Sequence, residues 1–203
     1  MEQIPPPAKE RLLYLMRLLE RSEGPVTSAR IEALSGWASH TGRKDISFLG
    51  AAGTAGSGGG YDPAALVALI KRALDLEKRR KFCVVGLGRL GSAYLNGQEL
   101  DTSEFELAAG FDSNVNRTEI LKSPVPLYPA YKMGEVISRF GIEIALLCVP
   151  AEAAQTAAEQ LAAAGIRGIL NFAPVLISVP PGVAVSNVFL ADELRALSIK
   201  MEK

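Results

Sequence analysis

Residues 81–91 read Lys81-Phe82-Cys83-Val84-Val85-Gly86-Leu87-Gly88-Arg89-Leu90-Gly91. The apolar run 82–85 suits a strand buried on both faces of a parallel sheet. Gly86, Gly88 and Gly91 follow in the order G-x-G-x-x-G, and Ser92-Ala93-Tyr94-Leu95 can continue as helix. In this pattern the first glycine permits the tight turn, and the second lets a pyrophosphate approach the backbone. The third lets helix and strand pack closely. The phosphates then sit at the helix N-terminus. A second apolar stretch, 107–111, ends in Asp112, which lies 21 residues past Gly91. That spacing suits a carboxylate that takes a ribose 2′-hydroxyl. A carboxylate there repels a 2′-phosphate, so the expected cofactor is NAD(H) rather than NADP(H). No basic residue follows Asp112 until Arg117, which argues the same way. Arg89 either faces the pyrophosphate or simply meets solvent. The alternative for the whole motif is a glycine-rich turn that binds nothing.

With 203 residues and 48% hydrophobic content, the chain is long enough for one large domain or two small ones. No apolar run reaches the roughly 18 residues of a membrane span. The start, Met1-Glu2-Gln3-Ile4-Pro5-Pro6-Pro7, lacks the charged and apolar regions of a signal peptide, so a cytoplasmic location is expected. Cys83 and Cys148 each fall inside an apolar predicted strand and read as core thiols; a cytosolic compartment argues against a structural disulfide. Two cysteines and one histidine are too few for a zinc site. The zero net charge hides a mild asymmetry. Residues 1–80 carry 12 basic and 9 acidic side chains, and residues 81–203 carry 10 and 13. A nucleic-acid-binding front half is permitted but not required.

The front half reads as helices. Residues 8–21 have helical periodicity, opened by Pro5 to Pro7 and closed by Ser22-Glu23-Gly24-Pro25. Thr27 or Ser28 can cap a short second helix over 29–34. A third helix is expected over 39–49 and a fourth over 64–76. Helix, short helix, turn, helix is the grammar of a helix-turn-helix domain. Between the third and fourth lies residues 50–60, with six glycines in eleven positions, either a linker or the wing of a winged helix. The charged run 77–81 is the best domain boundary.

The second half alternates strand and helix. Strands are expected at 82–85, 106–111, 144–149, 168–172 and 183–185, with helices over 89–97, 131–140, 151–164 and 190–201. A proline-rich turn with Pro124 and Pro126 precedes the second of these helices. The fold class is therefore α/β, a Rossmann-like doubly wound parallel sheet behind a small helical domain. Ligands of such sheets bind outside the carboxyl ends of the strands. Val149 and Pro150, and Asn171, Phe172, Ala173 and Pro174, fall at such ends and are candidate walls of a cofactor site, beside Gly86, Leu87, Gly88, Arg89, Leu90, Gly91 and Asp112. The prolines can equally act only as strand terminators.

The order of these pieces resembles the Rex family of redox-sensing transcriptional repressors. The matching residues are Arg43-Lys44-Asp45-Ile46-Ser47 with Phe48-Leu49-Gly50, the glycine motif 86–91, and Phe111-Asp112. They continue with residues 145–150, Ala153-Ala154-Gln155, residues 165–174, and Val179-Pro180. The resemblance spans nearly the whole chain and is most specific in the second half. It implies a winged helix-turn-helix DNA-binding domain over 1–78 and a Rossmann NAD(H)-binding domain over 79–187. It also implies a C-terminal dimerisation helix over 188–203, exchanged between the subunits of a homodimer. The implied function is a repressor that leaves its operator when NADH replaces NAD⁺. The chain departs from the family at three places. Ala55 stands where a wing cation is usual, in a glycine loop about two residues longer. Gly42 directly precedes Arg43 in the recognition helix. Phe189 stands where an acid usually pairs with an arginine of the first helix, here Arg17.

On this reading Arg43 and Lys44 meet base edges or phosphates, with Ser39, His40 and Thr41 beside them. Asp45 orients Arg43 or caps locally. His40 either meets phosphate or has no role. Trp37 belongs to the core of the small domain. Leu190, Leu194, Leu197 and Met201 recur at helical spacing and form the dimer stripe. Two other functions stay open. One is an NAD(H)-binding protein with weakened or lost DNA binding, kept alive by Ala55 and Gly42. The other is an NAD-dependent oxidoreductase, disfavoured because no His–acid or Tyr–Lys pair stands near the strand ends.

Overall fold

A computed structural model describes residues 4–50, 60–97, 100 and 102–202. The chain divides into two compact units, Met1–Lys78 and Arg79–Lys203.

Among its described residues the first unit has four helices: α1 (Pro6–Leu19), α2 (Ser28–Ser35), α3 (Ser39–Ser47) and α4 (Pro63–Ala73). Pro5 caps α1, with proline also at its first positions, where the missing N–H costs nothing because those donors have no helical partner. Helix α1 thus begins two residues earlier than the periodicity predicts. Thr27 is the cap of α2, its hydroxyl accepting the Arg30 N–H at 3.1 Å, and Gly36 ends that helix at φ 73°. Asp62 caps α4 in the same way through the Ala65 N–H. Leu12, Leu15 and Leu19 of α1 meet Ile31, Ile46, Leu66 and Ile70 in one core. Trp37 is half-buried against that core, its ring 5.2 Å from Tyr14. Val26, just before α2, and Tyr61, just before α4, pair through both backbone hydrogen bonds as an antiparallel bridge. Most of the glycine-rich loop (51–59), with Ala55 and the expected wing, lies outside the described residues.

The second unit carries a parallel six-stranded sheet in the order β3-β2-β1-β4-β5-β6. The strands are β1 (Arg80–Val85), β2 (Phe105–Asp112), β3 (Leu127–Pro129), β4 (Ile144–Leu147), β5 (Gly168–Asn171) and β6 (Ala184–Asn187). The helices are α5 (Arg89–Asn96), α6 (Val115–Ile120), α7 (Met133–Phe140), α8 (Ala151–Ala163) and α9 (Leu190–Met201). Alternation along β1 sends Phe82 and Val84 toward Leu95 of α5. It sends Cys83 and Val85 toward Val136 and Ile137 of α7 and Leu161 of α8. Strand order reverses between β1 and β4, and a crevice opens there at the carboxyl ends.

Two elements were not expected. Residues 113–129, read as loop and proline-rich turn, contain α6 and β3. Strand β3 has only three residues and ends in Pro129, which an edge strand tolerates because its outer face needs no ladder bond. Both cysteines are free, and β1 sets Cys83 opposite Ala145 rather than Cys148. Burial pushes each thiol up to about 12. Among the described residues, no helix is long and apolar enough to cross a membrane, and no cluster of His, Cys, Asp or Glu suits a metal.

Candidate dinucleotide site and DNA-facing helix

Each glycine of the motif has its own steric reason. Gly86 sits at φ 89°, and a Cβ there would lie 2.6 Å from the Cys148 carbonyl oxygen. At Gly91 a Cβ would lie 1.9 Å from the Gly86 oxygen, so α5 can pack on the turn only as glycine. Gly88 is different: a Cβ there would meet nothing within 4 Å. It opens α5 with no side-chain cap, which leaves first-turn N–H groups without a side-chain acceptor.

These groups face a cavity of about 920 Å³ at the switch point. Gly86, Gly88, Arg89, Leu90, Asp112, Val149 and Pro150 line it, gathered from the ends of β1, β2 and β4. The residues fit a dinucleotide: an uncapped helix start and an open glycine for phosphates, and a carboxylate at the end of β2.

The carboxylate is not bare. Asp112 is buried; its Oδ2 accepts the Leu87 N–H at 2.7 Å and its Oδ1 the Asn114 N–H at 2.8 Å. Arg117 Nη1 donates to Oδ2 at 3.1 Å. In the sequence Arg117 is only the first basic residue after Asp112, and its distance argues against NADP(H). Helix α6 brings it back onto the carboxylate and onto the cavity wall. A five-residue separation across a turn and a short helix gave no periodic sign of this.

The residues after β5 sort differently. Asn171 is fully buried: its amide nitrogen donates to the Val175 carbonyl and to Asn187 Oδ1, and its oxygen accepts the Ala173 N–H. Its polar atoms are spent on shaping the 171–175 loop, and Ala173 is buried. Leu87 and Gly91 are buried too, behind the cavity wall. Phe172 and Pro174 line a second cavity of about 680 Å³, together with Leu90, Phe189 and Leu190. Phe189 caps α9, half-buried in that cavity, and Arg17 is exposed in the last turn of α1.

Helix α3 has a clear division of faces. Gly42, Asp45 and Ile46 are buried, whereas His40, Arg43 and Lys44 are exposed. Among the described residues, neither Arg43 nor Lys44 has an ion-pair partner. Asp45 neither orients Arg43 nor caps the helix. It accepts a two-pronged bond from Arg11 of α1, Nε to Oδ2 at 2.6 Å and Nη2 to Oδ1 at 2.8 Å. That hydrogen bond, with the charge of Asp45, holds the Arg11 guanidinium above its ordinary pKa. Ser39 is occupied by Glu32, which accepts from both its hydroxyl and its N–H. Thr41 is half-buried. Gly42 does not interrupt α3; it is where α3 crosses α2, 3.5 Å from Ile31 Cγ2 by way of a hypothetical Cβ.

A family model described as a CoA binding domain matches residues 77–175. A curated protein of Levilactobacillus brevis, a redox-sensing transcriptional repressor Rex, is 34% identical over 93% of this chain and 88% of its own length. The protein of the same name from Lactobacillus gasseri is 36% identical over 91% of this chain and 85% of its own. Among solved structures, RSP in complex with β-NADH superposes with a TM-score of 0.86 at 27% identity, covering 99% of this chain and 95% of that one. RSP with β-NAD⁺ and operator DNA gives 0.81 at 29% identity, covering 96% and 88%.

Proposed function

Since the chain belongs to the Rex family of redox-sensing transcriptional repressors, we propose that it is a cytoplasmic homodimer that holds operator DNA and lets it go when NADH binds. The observation that carries this reading is the likeness to RSP over at least 96% of the chain, a repressor solved both with NADH and with NAD⁺ plus operator DNA. The geometry of the first cavity supports the following assignment. Gly88 and the first turn of α5 take the pyrophosphate, Asp112 stands at the adenosine ribose, and Leu90, Val149 and Pro150 form the apolar wall. Asn171 shapes the 171–175 loop, whose Phe172 and Pro174 line the neighbouring cavity. Arg43 and Lys44 enter the major groove, with His40 on the same exposed face and Arg11 fixing the helix through Asp45.

Reduction of the cofactor removes the positive charge of its nicotinamide ring and adds a hydride. For this to move the protein off DNA, the cavity must favour NADH in the DNA-free arrangement over the DNA-bound one. A ligand of equal affinity for both shifts nothing, and a full switch needs roughly 10⁴-fold discrimination. The dinucleotide is here a ligand and not a substrate, so the protein acts as a regulator. Gly42, one ground for a DNA-silent reading, sits in an unbroken helix.

The test is an anisotropy titration on an inverted-repeat operator at fixed salt, with NAD⁺ and then NADH. The expected result is tight binding with NAD⁺ and release with NADH. Arg43→Ala should lose about 1–3 kcal/mol per half-site in a sequence-dependent way. Lys44→Ala should weaken all sequences alike and flatten the salt slope by about one unit per half-site. If wild type and an Arg43→Ala/Lys44→Ala double variant bind equally poorly and NADH changes neither, the repressor reading fails.

A further inference from the structure

We infer that Arg117 is a specificity-determining residue for the dinucleotide: it meets whatever the cofactor carries at its adenosine 2′ position, and Asp112 holds its charge in check. The inference rests on the NAD(H) reading above and goes beyond it.

The side chains of the pair differ sharply in exposure, 4% for Asp112 and 45% for Arg117, while both residues line the same cavity. The carboxylate is turned into the loop, where the N–H groups of Leu87 and Asn114 and the guanidinium of Arg117 occupy it. The more accessible of the two charges is therefore the cation. Sites that take a 2′-hydroxyl use a carboxylate, and sites that take a 2′-phosphate use a nearby arginine. This chain holds both, in contact. A 2′-phosphate carries up to two negative charges and three acceptor oxygens, and a guanidinium offers it a planar fork of donors. Two opposing effects then set the preference. Asp112 repels the phosphate and engages Arg117; Arg117 attracts the phosphate and screens Asp112. The rejection of NADPH belongs to the pair and is shallower than Asp112 alone would impose.

The opposing signs make the test decisive. NADH and NADPH are titrated by calorimetry into wild type, Arg117→Ala, Asp112→Asn and the double variant, with thermal unfolding of each recorded in parallel. Arg117→Ala should lower NADPH affinity about tenfold and NADH affinity much less, widening the discrimination. Asp112→Asn keeps an acceptor for the Leu87 N–H and frees Arg117, so it should shift the ratio toward NADPH by about tenfold. The double variant should lose that gain. Arg117 lies on the surface, so Arg117→Ala remains informative even if Asp112→Asn unfolds. The inference is overturned if Arg117→Ala changes both ligands equally, or if the NADPH gain survives in the double variant. A wild type that binds neither dinucleotide overturns the NAD(H) reading and this inference with it.

Discussion

Arg11 of α1 and Asp45 of α3 form a two-pronged ion pair, at 2.6 and 2.8 Å, that fastens the helix carrying Arg43 and Lys44 to the helix beneath it. Asp45 is buried, and Arg11 is partly exposed. Loss of the arginine leaves a buried carboxylate with no cation, whereas loss of both leaves only a packing defect. Arg11→Ala should therefore destabilise the protein by about 2–4 kcal/mol, and Arg11→Ala/Asp45→Ala by less than the two single changes together. Urea unfolding of the four proteins measures the coupling. Additive losses would mean that the pair contributes nothing beyond its separate groups.

The glycines at 88 and 91 should part company. Gly91→Ala drives a Cβ to 1.9 Å from the Gly86 oxygen, so helix and turn must separate. A loss of several kcal/mol of stability is expected, of the order of severe overpacking. Gly88→Ala meets no protein atom within 4 Å, so stability should stay within about 0.5 kcal/mol of wild type. Its methyl group instead projects into open space at the helix start, so NADH binding should fall sharply. Thermal unfolding and calorimetry separate the two effects. Unimpaired NADH binding by Gly88→Ala would show that the phosphates lie elsewhere.

Sequence pattern carried the glycine motif, Asp112 and five of the six strands because each is a local regularity, an apolar run or a fixed spacing. What escaped it depends on contact at a distance. Strand β3 is three residues with a proline, recognisable only from its pairing with β2. The partner of Asp45 is 34 positions away on another helix. Asn171 stands at a strand end, as a ligand-binding residue would, yet its amide is consumed by Val175, Asn187 and Ala173. Gly42 reads as a helix weakness, but it is buried where two helices cross.

Cys83 provides a pH dependence of known sign. Full burial in β1 raises its thiol from 9.0 to about 12. Below pH 9 the thiol is protonated in both the folded and the unfolded chain and gives no slope. Between pH 9 and 12 the unfolded chain loses the proton and the folded one keeps it. The folded state then binds more protons, and stability falls as pH rises, by at most about 1.4 kcal/mol per pH unit. Cys83→Ala should be less stable at pH 8, because a cavity is left, yet should lose stability more slowly above pH 9. Parallel slopes from urea unfolding at pH 8 to 10.5 would show that the thiol ionises as readily folded as unfolded.

Helix α9 has no buried residue, although Leu190, Leu194, Leu197 and Met201 recur along it. Twelve residues are too few for a helix to persist alone in water, so its stability must come from a surface that covers the stripe. A second copy of the chain is that surface in the proposed dimer, and each large side chain fully buried there contributes about 1.5–3 kcal/mol. A twofold arrangement would set the two α3 helices roughly 34–36 Å apart, one turn of DNA. Leu194→Glu/Leu197→Glu places two carboxylates on that seam without disturbing any buried contact of the subunit itself. The variant should run as a folded monomer by light scattering and lose operator affinity, while wild type runs as a dimer. A variant that remains dimeric, or a chain cut after residue 187 that still dimerises, would place the interface on another surface.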